Sequence, residues 1–357
     1  MSSKKAPSSG KKSRGTRGTP RGRHSGPSRA VKTHRGAASH IGRNALIIIL
    51  AMVVIGVVCY ALALRFLVPR EESGLGYAIS DVKLDNGDEA AGVASGTEGS
   101  QMQAGISTAD LVSQTDAPVI TDTSYRSANI DIKITSHHYK KSAYYVADIK
   151  LSTVKALRCA FAKGKFGRNI TQNTSRMAID NNALVAANGD FYGIRNNGII
   201  IRNGVLYRNK PTPRDLLVIY LDGHMEVLDE RKQDGYKLIE AGAWQTYSFG
   251  PALVRNGVAV GDYSKSNVKG YNPRTGIGMI EPNHFLLVVV DGRAKGYSDG
   301  LKIDAFAQLM ESLGCQVAYN LDGGATSSMY FNNEIINNAL GKSKPREHSD
   351  IIMVVEQ

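Results

Sequence analysis

No aspartate or glutamate occurs in the first 44 residues of this 357-residue chain, although 32 acidic residues follow. Twelve of the 44 lysines and arginines lie in that segment. The rest of the chain therefore balances 32 basic against 32 acidic groups, and the formal net charge of +12 sits entirely at the N-terminal end. The pI near 9.5 thus does not mark a basic nucleic-acid-binding domain. Cysteine is scarce. Cys59, Cys159 and Cys315 are the only three, with no metal-ligand spacing and too few for a disulfide scaffold. Cys159 and Cys315 read as two buried thiols rather than a bridge. No G-x-S-x-G, Walker A or H-E-x-x-H motif occurs, which leaves the serine-hydrolase elbow, the P-loop and the zincin helix without support. His137, His138, His224, His284 and His348 fit no ligand spacing and read as structural or solvated. At 42% hydrophobic, the chain is neither disordered throughout nor a polytopic membrane protein.

What is present divides the chain into four parts. Residues 1–44, rich in Gly, Ser, Lys and Arg, cannot bury enough apolar surface to offset their ordering entropy, so a disordered basic tail is expected. Anionic lipid is a natural contact for it. Without interleaved aromatics, no specific nucleic-acid partner is expected. Ala45–Leu64 is uncharged throughout, long enough for a membrane helix that we place over 45–68. The apolar run exceeds that of a cleaved signal, although Ala61 and Ala63 form a possible cleavage pattern. The basic residues upstream predict a cytoplasmic N-terminus and an extracytoplasmic body, a single-pass signal-anchor at the cell membrane. Residues 69–124, dominated by Gly, Ala, Ser, Thr and Asp, read as a flexible extracytoplasmic linker.

From residue 125 to 357 short apolar runs alternate with turn signals. Asn203-Gly204, Asp222-Gly223 and Asn256-Gly257 each sit between apolar segments and suit type I′ hairpins. Tyr144–Leu151, Ala183–Ala187 and Ile351–Val355 read as strands. Phe285–Val290 reads as a strand covered on both faces. Phe306, Leu309, Met310 and Leu313 mark one helix, capped at Gly314, and a second is expected around 171–182. The fold class is α+β: a β-rich single catalytic domain with several hairpins and few helices, preceded by one transmembrane helix.

Three apolar runs end in a carboxylate beside glycine, at Asp190, Asp291 and Asp322. Each alone is commonly a turn. The third continues as Gly323-Gly324-Ala325-Thr326-Ser327, where small residues let backbone amides approach an anion and hydroxyls add donors. If the three strand ends meet, the carboxylates can divide acid and base work or hold a divalent cation such as Ca2+. Arg274 and Arg293 are candidate phosphate ligands, or ordinary surface ion pairs.

The series NGDFYG (188–193), GPALVRNG (250–257), NPRTGIGM (272–279), VVVDGR (288–293) and NLDGGATSSM (320–329) resembles the phosphodiester glycosidase family across about residues 140–357. Ala325 departs from the third glycine of many relatives. The resemblance implies a hydrolase that releases a sugar from a sugar-1-phosphodiester, here a cell-surface glycopolymer. It implies Asp190 and Asp322 as nucleophile or base, with Asp291 holding a metal or orienting Arg293. Asn188 and Asn320 would meet sugar hydroxyls. Arg274, Arg293, Thr275, Gly323, Gly324, Thr326 and Ser327 would meet phosphate or sugar. A phosphate departs as a stable anion, so cations and N–H donors matter more than a general acid. The alternative is a non-catalytic phosphoglycan-binding or exopolysaccharide assembly protein.

Overall fold

The computed structural model describes residues 37–81, 117–264, 266, 269–341 and 345–356. The expected disordered tail falls outside the described residues, apart from the backbone of 37–44. One helix, Ala37–Phe66, contains the stretch Ala45–Phe66 with a mean hydropathy of 3.0, long and apolar enough to cross a membrane. Leu46, Leu50, Val57 and Tyr60 on it are exposed.

The remainder, from Leu62 on, is a second compact unit. Its largest sheet has nine strands, all paired antiparallel. At its centre Val317–Asn320, Arg274–Glu281, His284–Val290 and Ser142–Leu151 lie side by side. A five-stranded sheet has Val185–Asn188 between Met329–Phe331 and Asp350–Val354. Inner-face residues of both sheets, such as Ile149, Leu287 and Tyr319 with Ala187, Phe331 and Ile352, share one core. Leu217, Trp244 and Tyr247 of a three-stranded sheet complete it.

The strand His284–Val290 shows why its sequence is uniformly apolar. Phe285, Leu287 and Val289 face that core, and Leu286, Val288 and Val290 face the helix Ile303–Ser312 through Phe306, Leu309 and Met310. The helix ends where Gly314 turns at φ +87°. Gly278 permits the close approach: a Cβ there would stand 2.4 Å from Cys315 Sγ. Part of the NPRTGIGM motif is therefore a packing requirement.

All three expected hairpins form. Asn203-Gly204 and Asn256-Gly257 have positive φ at both positions. The Asp222-Gly223 turn differs, because only Gly223 is left-handed. The Asp222 carboxylate instead accepts from the His224 amide (3.0 Å), closing a local turn. The expected helix over 171–182 is shorter, Thr174–Asp180. Cys159 and Cys315 are buried and unbridged.

The linker expected over 69–124 is structured at both ends. Arg70–Glu71 pairs with Gly167–Arg168, and Tyr77–Ala78 pairs with Val205–Leu206. Glu72 bridges Arg168 (2.6 Å) and Arg208 (2.8 Å). The Asn169 side chain donates to the carbonyls of Arg65 and Val68, both at 2.9 Å. Val119–Ile120 and Ser124–Arg126 extend the nine-stranded sheet. Residues 82–116 lie outside the described residues.

Candidate active site at the strand ends

Antiparallel pairing sets Asn320 opposite Gly276 and Arg274 opposite Val290, so one end of the large sheet gathers the segments bearing Asp291, Arg274 and Asp322. The chain then crosses to the five-stranded sheet through residues 321–328. Asn188 ties that crossing down. Its Nδ2 donates to Asp322 O (2.7 Å), while its Oδ1 accepts from Thr275 Oγ1 (2.7 Å) and the Ser328 amide (3.2 Å). Asn188 and Thr275, expected as ligand contacts, are fully buried and spend their polar atoms on each other and on the crossing chain.

The three carboxylates do not converge as equals. Asp291 is buried. It accepts from Asn337 Nδ2 (2.7 Å), Tyr297 Oη (2.7 Å) and the Asn338 amide (2.9 Å). Asp190 is buried too. It accepts from Arg202 Nη2 (3.0 Å) and from the amides of Tyr192 (3.2 Å) and Ser248 (2.8 Å). Asp322 alone keeps some solvent contact, with 8% of its surface exposed. Its Oδ2 accepts from Thr326 Oγ1 (2.8 Å) and lies 3.7 Å from Arg346 Nη2. Burial, above all, lifts its carboxyl above the ordinary aspartate value, and Thr326, Arg346 and Arg195 pull it partly back.

Arg346 and Arg195 act on this carboxylate, and Arg293 lies by the next turn of chain. Arg346 stands 5.3 Å over the Phe191 ring, and its amide donates to Ala325 O (2.7 Å). The Arg293 guanidinium, bonded to Asn272 Oδ1, lies beside Gly324: a Cβ there would sit 3.7 Å from its Nη1. Gly324 has φ +70°, which favours glycine, and a Cβ at Gly323 would stand 2.8 Å from Pro273 O, so the pair serves the backbone turn and that close approach. Arg274 turns inward instead, donating to Leu301 O (2.9 Å) and Gly270 O (2.6 Å), and burial followed by Arg293 lowers it to about 10. Asn320 Nδ2 donates to Gly250 O (2.8 Å), leaving its buried Oδ1 without a hydrogen-bond partner. Ser327 Oγ is likewise buried and unpartnered. Among the described residues no three His, Cys, Asp or Glu side chains are grouped to hold a metal.

Sequence reasoning missed four participants. Arg202 is fully buried, with Asp350 at 2.8 Å, Asp190 at 3.0 Å and the Tyr247 ring at 4.2 Å. Its signal was a lone charge at the end of an apolar run, IIIRNG. Arg195, Arg346 and Asp350 carried no spacing signal; the fold alone brings them in.

The fold and site together define a β-rich domain built around one accessible carboxylate among guanidiniums. In fold it is similar to the zebrafish N-acetylglucosamine-1-phosphodiester alpha-N-acetylglucosaminidase catalytic domain auto-inhibited by pro-peptide, at a TM-score of 0.51 and 18% identity, covering 64% of this chain and 83% of that one. The chain matches the phosphodiester glycosidase model over residues 181–355, just under half of its length. It is also 31% identical over 185 residues to an uncharacterized SPbeta prophage-derived protein of Bacillus subtilis, YomE, covering 48% of this chain and 28% of that relative.

Proposed function

We propose that the chain is a membrane-anchored hydrolase whose extracytoplasmic domain cleaves the glycosidic bond of sugar-1-phosphodiesters in cell-surface glycopolymers. The carrying observation is that Asp322 is the one strand-end carboxylate of the three with solvent contact, raised in pKa and facing cations. A raised carboxylate is the better proton acceptor near neutral pH. Water attacks the anomeric carbon and gives its proton to Asp322. The C–O bond to phosphate breaks, and its electron pair leaves with the phosphate. Arg346 and Arg293 then stabilise the departing charge. Asp190 acts through Arg202 and the Ser248 amide as a positioning residue.

The helix containing Ala45–Phe66 and the upstream basic residues support anchoring with an outer catalytic domain. The test is to incubate the full chain in detergent with a panel of sugar-1-phosphodiesters. Free reducing sugar with a phosphomonoester supports the reading. A sugar phosphate product overturns it in favour of P–O cleavage. Saturable glycopolymer binding without turnover overturns it in favour of a binding or assembly protein.

A further inference from the structure

A cavity of about 650 Å³ opens beside the carboxylate site, walled in part by Arg195, Arg214, Phe249 and Tyr263. Such a volume suits a small ligand and far exceeds one phosphate group. Most of its charges cancel locally. Arg231 forks onto Asp229 at 2.9 and 2.7 Å, and Arg255 reaches Asp215 at 3.2 Å. Arg195 and Arg214 have no carboxylate partner among the described residues. Arg195 makes one hydrogen bond, Nη1 to Ser248 O (2.6 Å), and stands 5.1 Å over the Phe249 ring. Arg214 Nη1 is buried with no hydrogen-bond partner. Burial, and then the Arg214 charge, hold Arg195 below the ordinary arginine value. Among the described residues neither guanidinium is ion-paired: Asp190 and Asp322 act on Arg195 only at longer range, Asp262 shares the lining, and the mutual repulsion of the two guanidiniums is what an anion between them would relieve.

Hydrogen bonds next to the cavity's Phe249 and Gly250 link it to the carboxylate site. The Ser248 amide donates to Asp190 (2.8 Å), and Asn320 donates to Gly250 O (2.8 Å). Phe249 and Tyr263 offer apolar surface for a sugar ring beside the cations.

We propose that this cavity is a second subsite, which holds a phosphate-bearing sugar unit adjacent to the one whose bond lies at Asp322. The substrate class becomes a polymer with repeating anionic sugars rather than an isolated phosphodiester. This rests on the hydrolase reading above.

The test measures binding of inorganic phosphate and of α-glucose 1-phosphate to the full chain in detergent by calorimetry. It also measures KM for substrates of one and two phosphodiester units. Arg214→Ala is expected to weaken both ligands about tenfold or more. It should also erase the KM advantage of the two-unit substrate, with Arg214→Lys recovering part of each. Arg176→Ala, an exposed i,i+4 pair with Asp180, is the control and stays at the wild-type value. Arg195→Ala is a second variant, checked by thermal melting because it also loses the bond to Ser248. Unchanged binding and KM in a folded Arg214→Ala chain that still turns over phosphodiesters overturns the subsite and leaves the hydrolase. Binding lost in Arg214→Ala, in a protein that turns over none of the substrates, overturns the hydrolase and leaves an anion site.

Discussion

At Arg202 two carboxylates close on one guanidinium with almost no solvent at hand; at Asp322 one carboxylate faces guanidiniums across an opening. Both regions draw on the same two residue types, and both belong to segments that cross between the sheets or border them. Side-chain exposure is 1% for Arg202, Asp190 and Asp350 but 54% for Arg346. In the first region two carboxylates share one cation, and its worth is structural specificity: removing that cation strands both in a low-dielectric interior. In the second, desolvation is partial. The carboxyl is pushed toward protonation yet stays reachable, as acid–base work requires. Burial, not composition, separates the two regions.

Breaking this contrast calls for variants on each side. Asp322→Asn is expected to lower kcat by about a hundred- to ten-thousand-fold while the melting temperature stays near wild type. Full activity in that variant removes Asp322 from its role. Arg202→Met is expected to cost about 3–5 kcal/mol, read from the denaturant midpoint, because two buried aspartates lose their cation. A wild-type midpoint there means the cluster is not the scaffold described.

Two pH measurements sharpen the contrast. Burial first, then Asp190, raise the Asp350 carboxyl from 3.8 to about 6 against the pull of Arg202. A raised acid binds its proton more tightly folded than unfolded. Its stabilising contribution is therefore full below 3.8 and is lost as pH climbs to about 6. Urea midpoints across that window should fall with rising pH in the wild type and flatten in Asp350→Asn; equal slopes contradict it. The smallest effect is expected for Thr326→Val. It removes a donor that lowers Asp322, so the acid limb of kcat moves to higher pH. A limb that moves down or stays put separates Thr326 from the titration.

Much of the fold was legible because it follows from local chemistry. Asn203-Gly204 and Asn256-Gly257 accept left-handed backbone, the apolar run 285–290 needed cover on both faces, and Gly314 ends its helix. The site was legible in part. Asp322 and the Gly323-Gly324 pair stood out because a turn alone does not require them. Asn188, Thr275 and Arg274 look the same on paper whether they meet a ligand or, as found, hold the framework. The paired ends of the expected linker were invisible, since Arg70–Glu71 and Tyr77–Ala78 are too short to show a pattern and are strands only because a partner edge is there.

By itself the sequence determined the apolar helix, the strands and hairpins that follow residue 125, and the motifs that carry the resemblance. Each is set by neighbours within a few residues, through backbone conformation and side-chain period. Only the tertiary structure decided which aspartate is reachable, that Arg202 joins Asp190 to Asp350 from 148 residues away, and that Arg195 and Arg346 flank the mouth. Those outcomes depend on desolvation and on contacts between distant segments, and neither quantity exists until the sheets have closed.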